Sequence, residues 1–127
     1  MIFDTSSIYK AIEINCIEKL QGEKTLDLSL YELGNIVWKY VIRNKLSPDE
    51  GRKLLDILID VISLMQIIKT GLNTTTYSIA VKNKISYYDA SYIYAALSSK
   101  EPLVSEDKKL FQITAKYDIK SYTIEDS

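Results

Sequence analysis

Apolar positions along the chain fall into short runs separated by longer amphipathic stretches. Ile2-Phe3 is a brief apolar run ending at Asp4 and reads as a strand. A helix is expected from about Ser7 to Leu20, with Thr5, Ser6 and Ser7 as cap candidates. Gln21-Gly22-Glu23 reads as a turn, and the alternation from Thr25 to Ser29 as a second strand. From about Leu30 to Asn44, the residues Leu33, Ile36, Val37, Tyr40 and Val41 form one helical stripe. Ser47-Pro48-Asp49-Glu50 is an N-cap with proline at the first helical position and acids in the first turn, opening a third helix to about Ile62. Met65 to Ile68 predicts a short strand and Asn73 to Asn83 a helix. Tyr87 to Lys100 is a strongly apolar helix, Pro102 to Ser105 a buried strand, Lys108 to Tyr117 a helix and Ser121 to Ile124 the last strand. Short apolar strands alternating with helices predict an α/β fold. The expectation is one domain over residues 1–127, with a parallel, about five-stranded sheet flanked by helices on both faces.

Composition narrows the chemistry. With 127 residues and 46% of them apolar, the chain can bury a single core. Its net charge of -1 provides no global positive field to gather nucleic acid, so any such binding relies on local Lys and Arg or on a bound cation. It has no histidine, which removes His-based acid–base chemistry, Ser-His-Asp triads and His-bound zinc. The one cysteine, Cys16, sits among Ile14, Ile17 and Leu20 and reads as packing. Reactive groups are therefore carboxylates, hydroxyls, Lys, Arg and Tyr. MIFD runs directly into the first strand without a leader-like segment, and Asp56 and Asp60 break the most apolar stretch, Leu54 to Ile68. A soluble, cytoplasmic protein is expected.

Four acids fall where such a sheet places its ligand crevice, beyond the carboxyl ends of the strands. Asp4 follows Ile2-Phe3, Asp107 lies two residues past Val104-Ser105, and Glu32 and Asp89 stand in the first turns of their helices. Each also has a plain reading, because acids at helix N-termini satisfy free N–H groups and complement the dipole. That reading suits Asp107 best. It suits Asp4 less, since Thr5 or Ser6 is available to cap. Asp89 is the hardest to explain so, because Ile93 and Ala96 continue its helical face and an isolated buried carboxylate is costly. Converging carboxylates repel: two unit charges ~5 Å apart at an effective dielectric of ~20 cost roughly 3 kcal/mol. Either some stay protonated or a cation lies between them, and oxygen-only ligands select Mg²⁺ or Mn²⁺.

The ordered segments MIFDTSS, LSLYELGNIVWK, ISYYDASYIYAA and PLVSEDKKL resemble those of the PIN-domain nucleases, and within them the VapC-type toxins of toxin–antitoxin pairs. The resemblance spans nearly the whole chain. It implies a PIN-like fold, Mg²⁺- or Mn²⁺-dependent endoribonuclease activity on RNA, a homodimer and inhibition by a cognate antitoxin. Carried over position by position, Asp4, Glu32, Asp89 and Asp107 match the family's four acids. Asp4 and Asp107 would bind metal directly, Asp89 directly or through water, and Glu32 through water or as the group that positions the attacking water. Ser6 matches a small polar position near the site. Ser105 stands where the family usually has threonine, and Lys109 where some relatives carry a further acid.

The remaining features read more plainly. Lys53, Asp56, Asp60 and Ser63 form the solvated face of the third helix. Opposite them, Leu54, Leu55, Leu58, Ile59 and Ile62 are mostly core, with width to spare for a partner chain or an antitoxin helix. Tyr87, Tyr88, Tyr92 and Tyr94 read as core or interface rather than base-stacking groups, and Lys108, Lys109 and Lys116 as solvated. Glu106 and Asp49 read as caps or surface charge, and Glu125 and Asp126 as part of a fraying C-terminus. Two other functions share the general pattern: a PIN-like module that binds RNA or protein without catalysis, and a phospho-acceptor signalling domain. The latter wants two adjacent acids after the first strand, and Asp4-Thr5-Ser6 supplies one.

Overall fold

The computed structural model describes residues 1–127. Strands β1 (Ile2–Phe3), β2 (Lys24–Leu26), β3 (Gln66–Ile68), β4 (Leu103–Val104) and β5 (Ser121–Tyr122) form one sheet in the order β3-β2-β1-β4-β5. Every neighbouring pair is parallel. The connections are carried by helices α1 (Thr5–Glu13), α2 (Leu28–Ile42), α3 (Pro48–Ile62), α4 (Thr74–Asn83), α5 (Tyr87–Ser99) and α6 (Lys109–Lys116). This is the α/β architecture that the alternation of short apolar strands and helices predicts. None of the helices is long and apolar enough to cross a membrane.

Successive strand residues point to opposite faces, so the two-residue central strands feed two cores. Ile2 and Leu103, paired across β1 and β4, join Ile79, Ala90, Ile93, Leu110 and Ile113 from α4, α5 and α6. Their neighbours Phe3 and Val104, also paired, join Ile8, Leu33, Val37, Leu58 and Val61 from α1, α2 and α3. Both faces of the sheet are covered, which is why its strands read as continuous apolar runs.

Several boundaries differ from the sequence expectation for identifiable reasons. The helix expected over 7–20 stops at Glu13: Asn15 adopts a left-handed φ of 55°, and the chain resumes as a 3-10 turn at Ile17–Leu20. Ile14, Ile17 and Leu20 keep a helix-like spacing across that break. The alternation from Thr25 to Ser29 runs past the end of β2, and α2 already begins at Leu28. At the C-terminus, β5 is two residues long, yet Ile124 is fully buried and its N–H donates to the Glu106 carboxylate at 2.8 Å. Lys19 Nζ donates to the carbonyls of Ile124, Glu125 and Ser127. The tail is thus held rather than frayed, and Glu106 is a structural acceptor rather than a helix cap. On α3, Lys53, Asp56, Asp60 and Ser63 are exposed as expected. The opposite face is less buried than its pattern suggests: Leu58 is core, while Leu55 and Ile59 are 39% and 58% exposed.

Candidate functional site

Strand order reverses at β1, with β2 and β3 on one side and β4 and β5 on the other. The chain leaving β1 enters α1, which packs on one face. The chain leaving β4 enters α6, which packs on the other. Diverging connections of this kind open a crevice at the carboxyl edge of the sheet. Asp4, Glu32, Asp89 and Asp107 all line the cavity of about 310 Å³ found there.

Asp4 is only 6% exposed. It caps α1 itself, its Oδ1 accepting from the Ser7 amide at 2.9 Å, so the cap expected from Thr5 or Ser6 is made by the acid. Oδ1 also accepts from Ser6 Oγ at 2.7 Å, and Oδ2 accepts from Ser105 Oγ. Each serine hydroxyl takes a second bond, Ser6 from the Glu106 amide at 2.9 Å and Ser105 from the Asp107 amide at 3.0 Å. Two hydroxyls thereby fix the β4–α6 loop, and Asp107 with it, against Asp4. Burial pushes the Asp4 carboxyl above the usual range, and the donors from Ser105, Ser6 and Ser7 pull the other way.

Glu32, half-buried in the first turns of α2, is held by two hydroxyls: Oε1 accepts from Thr5 Oγ1 at 2.8 Å and from Tyr92 OH at 2.7 Å. The two hydroxyls lie 3.0 Å apart, and both residues are buried. Burial and the adjoining Glu32 charge hold the Tyr92 phenol far above its ordinary pKa, so it stays a neutral donor. Tyr92 thus belongs to the site as well as to the core, which its place in an apolar helix did not disclose.

Asp89 heads the buried stripe that continues through Ile93 and Ala96, but its first turn emerges at the sheet edge, leaving it half-buried. The apolar-face argument made from the sequence therefore overstates its burial. Its carboxyl is raised by burial first and then by the charges of Asp107 and Glu32, while Lys109 and Ser86 lower it. Asp107 keeps its cap-like contact, Oδ1 accepting from the Lys109 amide at 3.1 Å. Asn35 and Lys39, one and two turns along α2 from Glu32, also line the cavity. Neither stood out in the sequence, though their spacing from Glu32 puts them on its face of the helix.

None of the four acids is in a salt bridge: the chain's ion pairs join the N-terminal amine to Glu23 and Glu101 and Lys24 to Glu101, at the opposite edge of the sheet. The acids share a cavity without closing into a cage, and no group of three or more is arranged to hold one metal ion directly. The donor set is oxygen-only, and no direct ion pair neutralises any of the four acids. That chemistry suits Mg²⁺ or Mn²⁺, and Mg²⁺ characteristically keeps several waters and takes one or two carboxylates.

No family model matches the chain. Two proteins of Pyrobaculum aerophilum are similar in sequence. Ribonuclease VapC3 is 29% identical over 100 residues, covering 74% of this chain and 72% of that protein. Exonuclease VapC9 is 30% identical over 89 residues, covering 70% of this chain and 65% of that protein. Among solved structures, that of PAE2754 from Pyrobaculum aerophilum superposes with a TM-score of 0.80 at 25% identity, over 98% of this chain and 83% of the other. The chain is thus similar in sequence to two VapC proteins over most of its length and similar in fold to PAE2754, a likeness that supports a VapC-type protein with a PIN-like fold.

Proposed function

We propose that the chain is a Mg²⁺- or Mn²⁺-dependent endoribonuclease that hydrolyses RNA phosphodiester bonds, and the toxin of a VapBC-type pair. A cognate antitoxin is its partner, and it acts as a homodimer. The observation that carries this reading is the gathering of four acids from four distant segments around one cavity with no cationic side chain bridging any of them. The names of the relatives, one a ribonuclease and one an exonuclease, support nuclease chemistry.

Asp4 and Asp107 would hold the divalent ion, with Asp89 bound to it directly or through water and Glu32 bound through water or positioning the attacking water. When bound, the ion supplies a water of lowered pKa and neutralises charge at the scissile phosphate. The chain's own groups do the rest. Ser6 and Ser105 fix both Asp4 oxygens. Thr5 and Tyr92 occupy Glu32 Oε1 and leave Oε2 for a water or the ion. Lys39 offers a cation to the substrate phosphate from the cavity wall.

Asp4→Asn is the direct test. Asn caps a helix as well as Asp does, so α1 keeps its cap while the site loses a charge. Mn²⁺-dependent cleavage of single-stranded RNA is expected to fall by about 10²-fold or more, the scale on which aligned charges act in such sites. Lys53→Ala, on the solvated face of α3, serves as the control and leaves the rate unchanged. Undiminished cleavage by Asp4→Asn refutes the assignment. The open spacing of the acids favours one other reading, a PIN-like module that binds RNA or protein without catalysis. Calorimetric titration separates the two, because a binding module shows neither Mn²⁺ uptake at this edge nor RNA cleavage.

A further inference from the structure

Two tyrosines stand immediately before two of the site acids: Tyr31 before Glu32 on α2, and Tyr88 before Asp89 on α5. Neighbouring residues on a helix are about 100° apart. When the acid faces the crevice, the tyrosine is therefore carried to its rim. Both are open to solvent, Tyr31 at 79% and Tyr88 at 61%. Their helix-mates differ. Tyr92 is tied to Glu32, and the Tyr87 hydroxyl accepts from the Asn73 amide and donates to the Gly71 carbonyl. Tyr31 and Tyr88 are the tyrosines of this region not consumed by the fold.

They line a second cavity, of about 540 Å³, with Leu28, Glu32 and Asn35. Glu32 and Asn35 line the acid cavity as well, so the two spaces adjoin across these side chains. The second is walled by two aromatic rings, an aliphatic side chain and the Glu32 carboxylate, with one carboxamide that offers both a donor and an acceptor. A planar heterocycle with a polar edge fits this chemistry, and an aliphatic ligand would leave the amide unused.

We propose that the Tyr31–Tyr88 cleft is a nucleobase subsite. It takes one unpaired base of single-stranded RNA, with Asn35 against the base edge, while the adjoining phosphodiester lies at the acids. The proposal rests on the ribonuclease reading above and adds to it the place where a base is held. A base inside a duplex is already stacked and its pairing edge is occupied, so the cleft selects for unpaired strands.

The test uses the full chain with Mn²⁺ and an eight-nucleotide single-stranded RNA carrying 2-aminopurine beside the cleavage position. Tyr31→Ala and Tyr88→Ala are expected to lower kcat/KM about 5- to 100-fold, chiefly through KM, the range that base–aromatic stacking spans. They also abolish the fluorescence quench that stacking produces on binding. The Phe substitutions, which keep the ring, recover both. Cleavage by the unaltered chain with the Ala variants within twofold of it, and the quench intact, overturns the subsite and leaves the ribonuclease reading standing. No cleavage by the unaltered chain overturns that reading instead. If the Ala variants change only the sedimentation coefficient, the tyrosines are a contact between protein chains and the subsite is rejected.

Discussion

Tyr92 is where the core and the site share a side chain. Its ring is buried among α5 and sheet residues, while its hydroxyl is the shorter of the two donors on Glu32. It touches no substrate in the proposed reaction and acts through Glu32, which makes it a positioning residue. Tyr92→Phe removes the hydroxyl and keeps the packing. Loss of a hydrogen-bonding support behind a metal-site carboxylate typically costs about 10- to 100-fold in metal affinity or activity, and that drop is expected in Mn²⁺ affinity by calorimetry and in kcat, with the melting temperature little changed. In a Glu32→Gln background the same substitution should add nothing, because groups that act as one unit are not additive. An additive loss shows that Tyr92 works some other way. The four acids stood out individually, near a strand end or an early helical turn, because such positions follow from local pattern, although α2 begins at Leu28 and so places Glu32 one turn further in than its pattern suggests. Their supports were not. The Tyr92–Glu32 bond spans 60 residues of sequence and the Ser105–Asp4 bond 101, and nothing local to Tyr92 separates it from a core tyrosine. Asp89 shows the opposite failure: its pattern was read correctly, but where the apolar stripe surfaces depends on the sheet edge beneath it.

At the scale of elements, α2 and α3 pack as a pair across one face of the sheet, and two glycines on them have opposite meanings. A Cβ on Gly51 would stand 2.6 Å from Val41 Cγ2 and 3.5 Å from Val37 Cγ1. Val41 is β-branched and stiff at χ1, so relief requires the helices to separate. Gly34 has nothing within 4 Å of its Cβ position. Gly34→Ala is therefore expected to stabilise the chain by about 0.5–1 kcal/mol through helix propensity alone. Gly51→Ala gains the same propensity but incurs an overpacking cost of typically about 1–3 kcal/mol, so it is expected to destabilise. Urea denaturation of both variants decides the matter, and equal stabilisation by the two would show that the helices are not in close contact at Gly51. Helix α3 was legible to the residue, since Ser47, Pro48 and Glu50 form a complete capping box. Helix α1 was not, because the residue that ends it, Asn15, interrupts the backbone without interrupting the apolar spacing. Short strands show the same limit: the pattern located β2 and β5, while hydrogen bonding across the sheet decided how many residues joined it.

The whole molecule confronts a polyanion with an unfavourable charge. It carries 16 basic and 17 acidic residues, and four of the acids line the cavity where phosphate must arrive. Long-range steering is therefore weak, and affinity must come from few cations placed close to the acids. Two positions meet that need. Lys39 lines the cavity, and Lys109 lies near enough to Asp89 to oppose the rise in its pKa. Each phosphate neutralised on a single strand contributes about -0.7 to the slope of log K against log salt. With two such cations and no basic face behind them, the slope for a short single-stranded RNA at fixed Mn²⁺ is expected to be no steeper than about -2. Lys39→Ala should weaken binding to all sequences alike and make the slope shallower by about 0.7. Fluorescence anisotropy across a range of KCl concentrations, in the Asp4→Asn background so that the RNA is not cut, measures both quantities. A slope near -6 would mean that an extended basic surface holds the RNA. An unchanged slope in Lys39→Ala would remove that side chain from the phosphate path. A shallow slope that Lys39 controls places recognition in the crevice itself, where the sheet's reversal at β1 brings the acids, the lysine and the exposed tyrosines onto one edge.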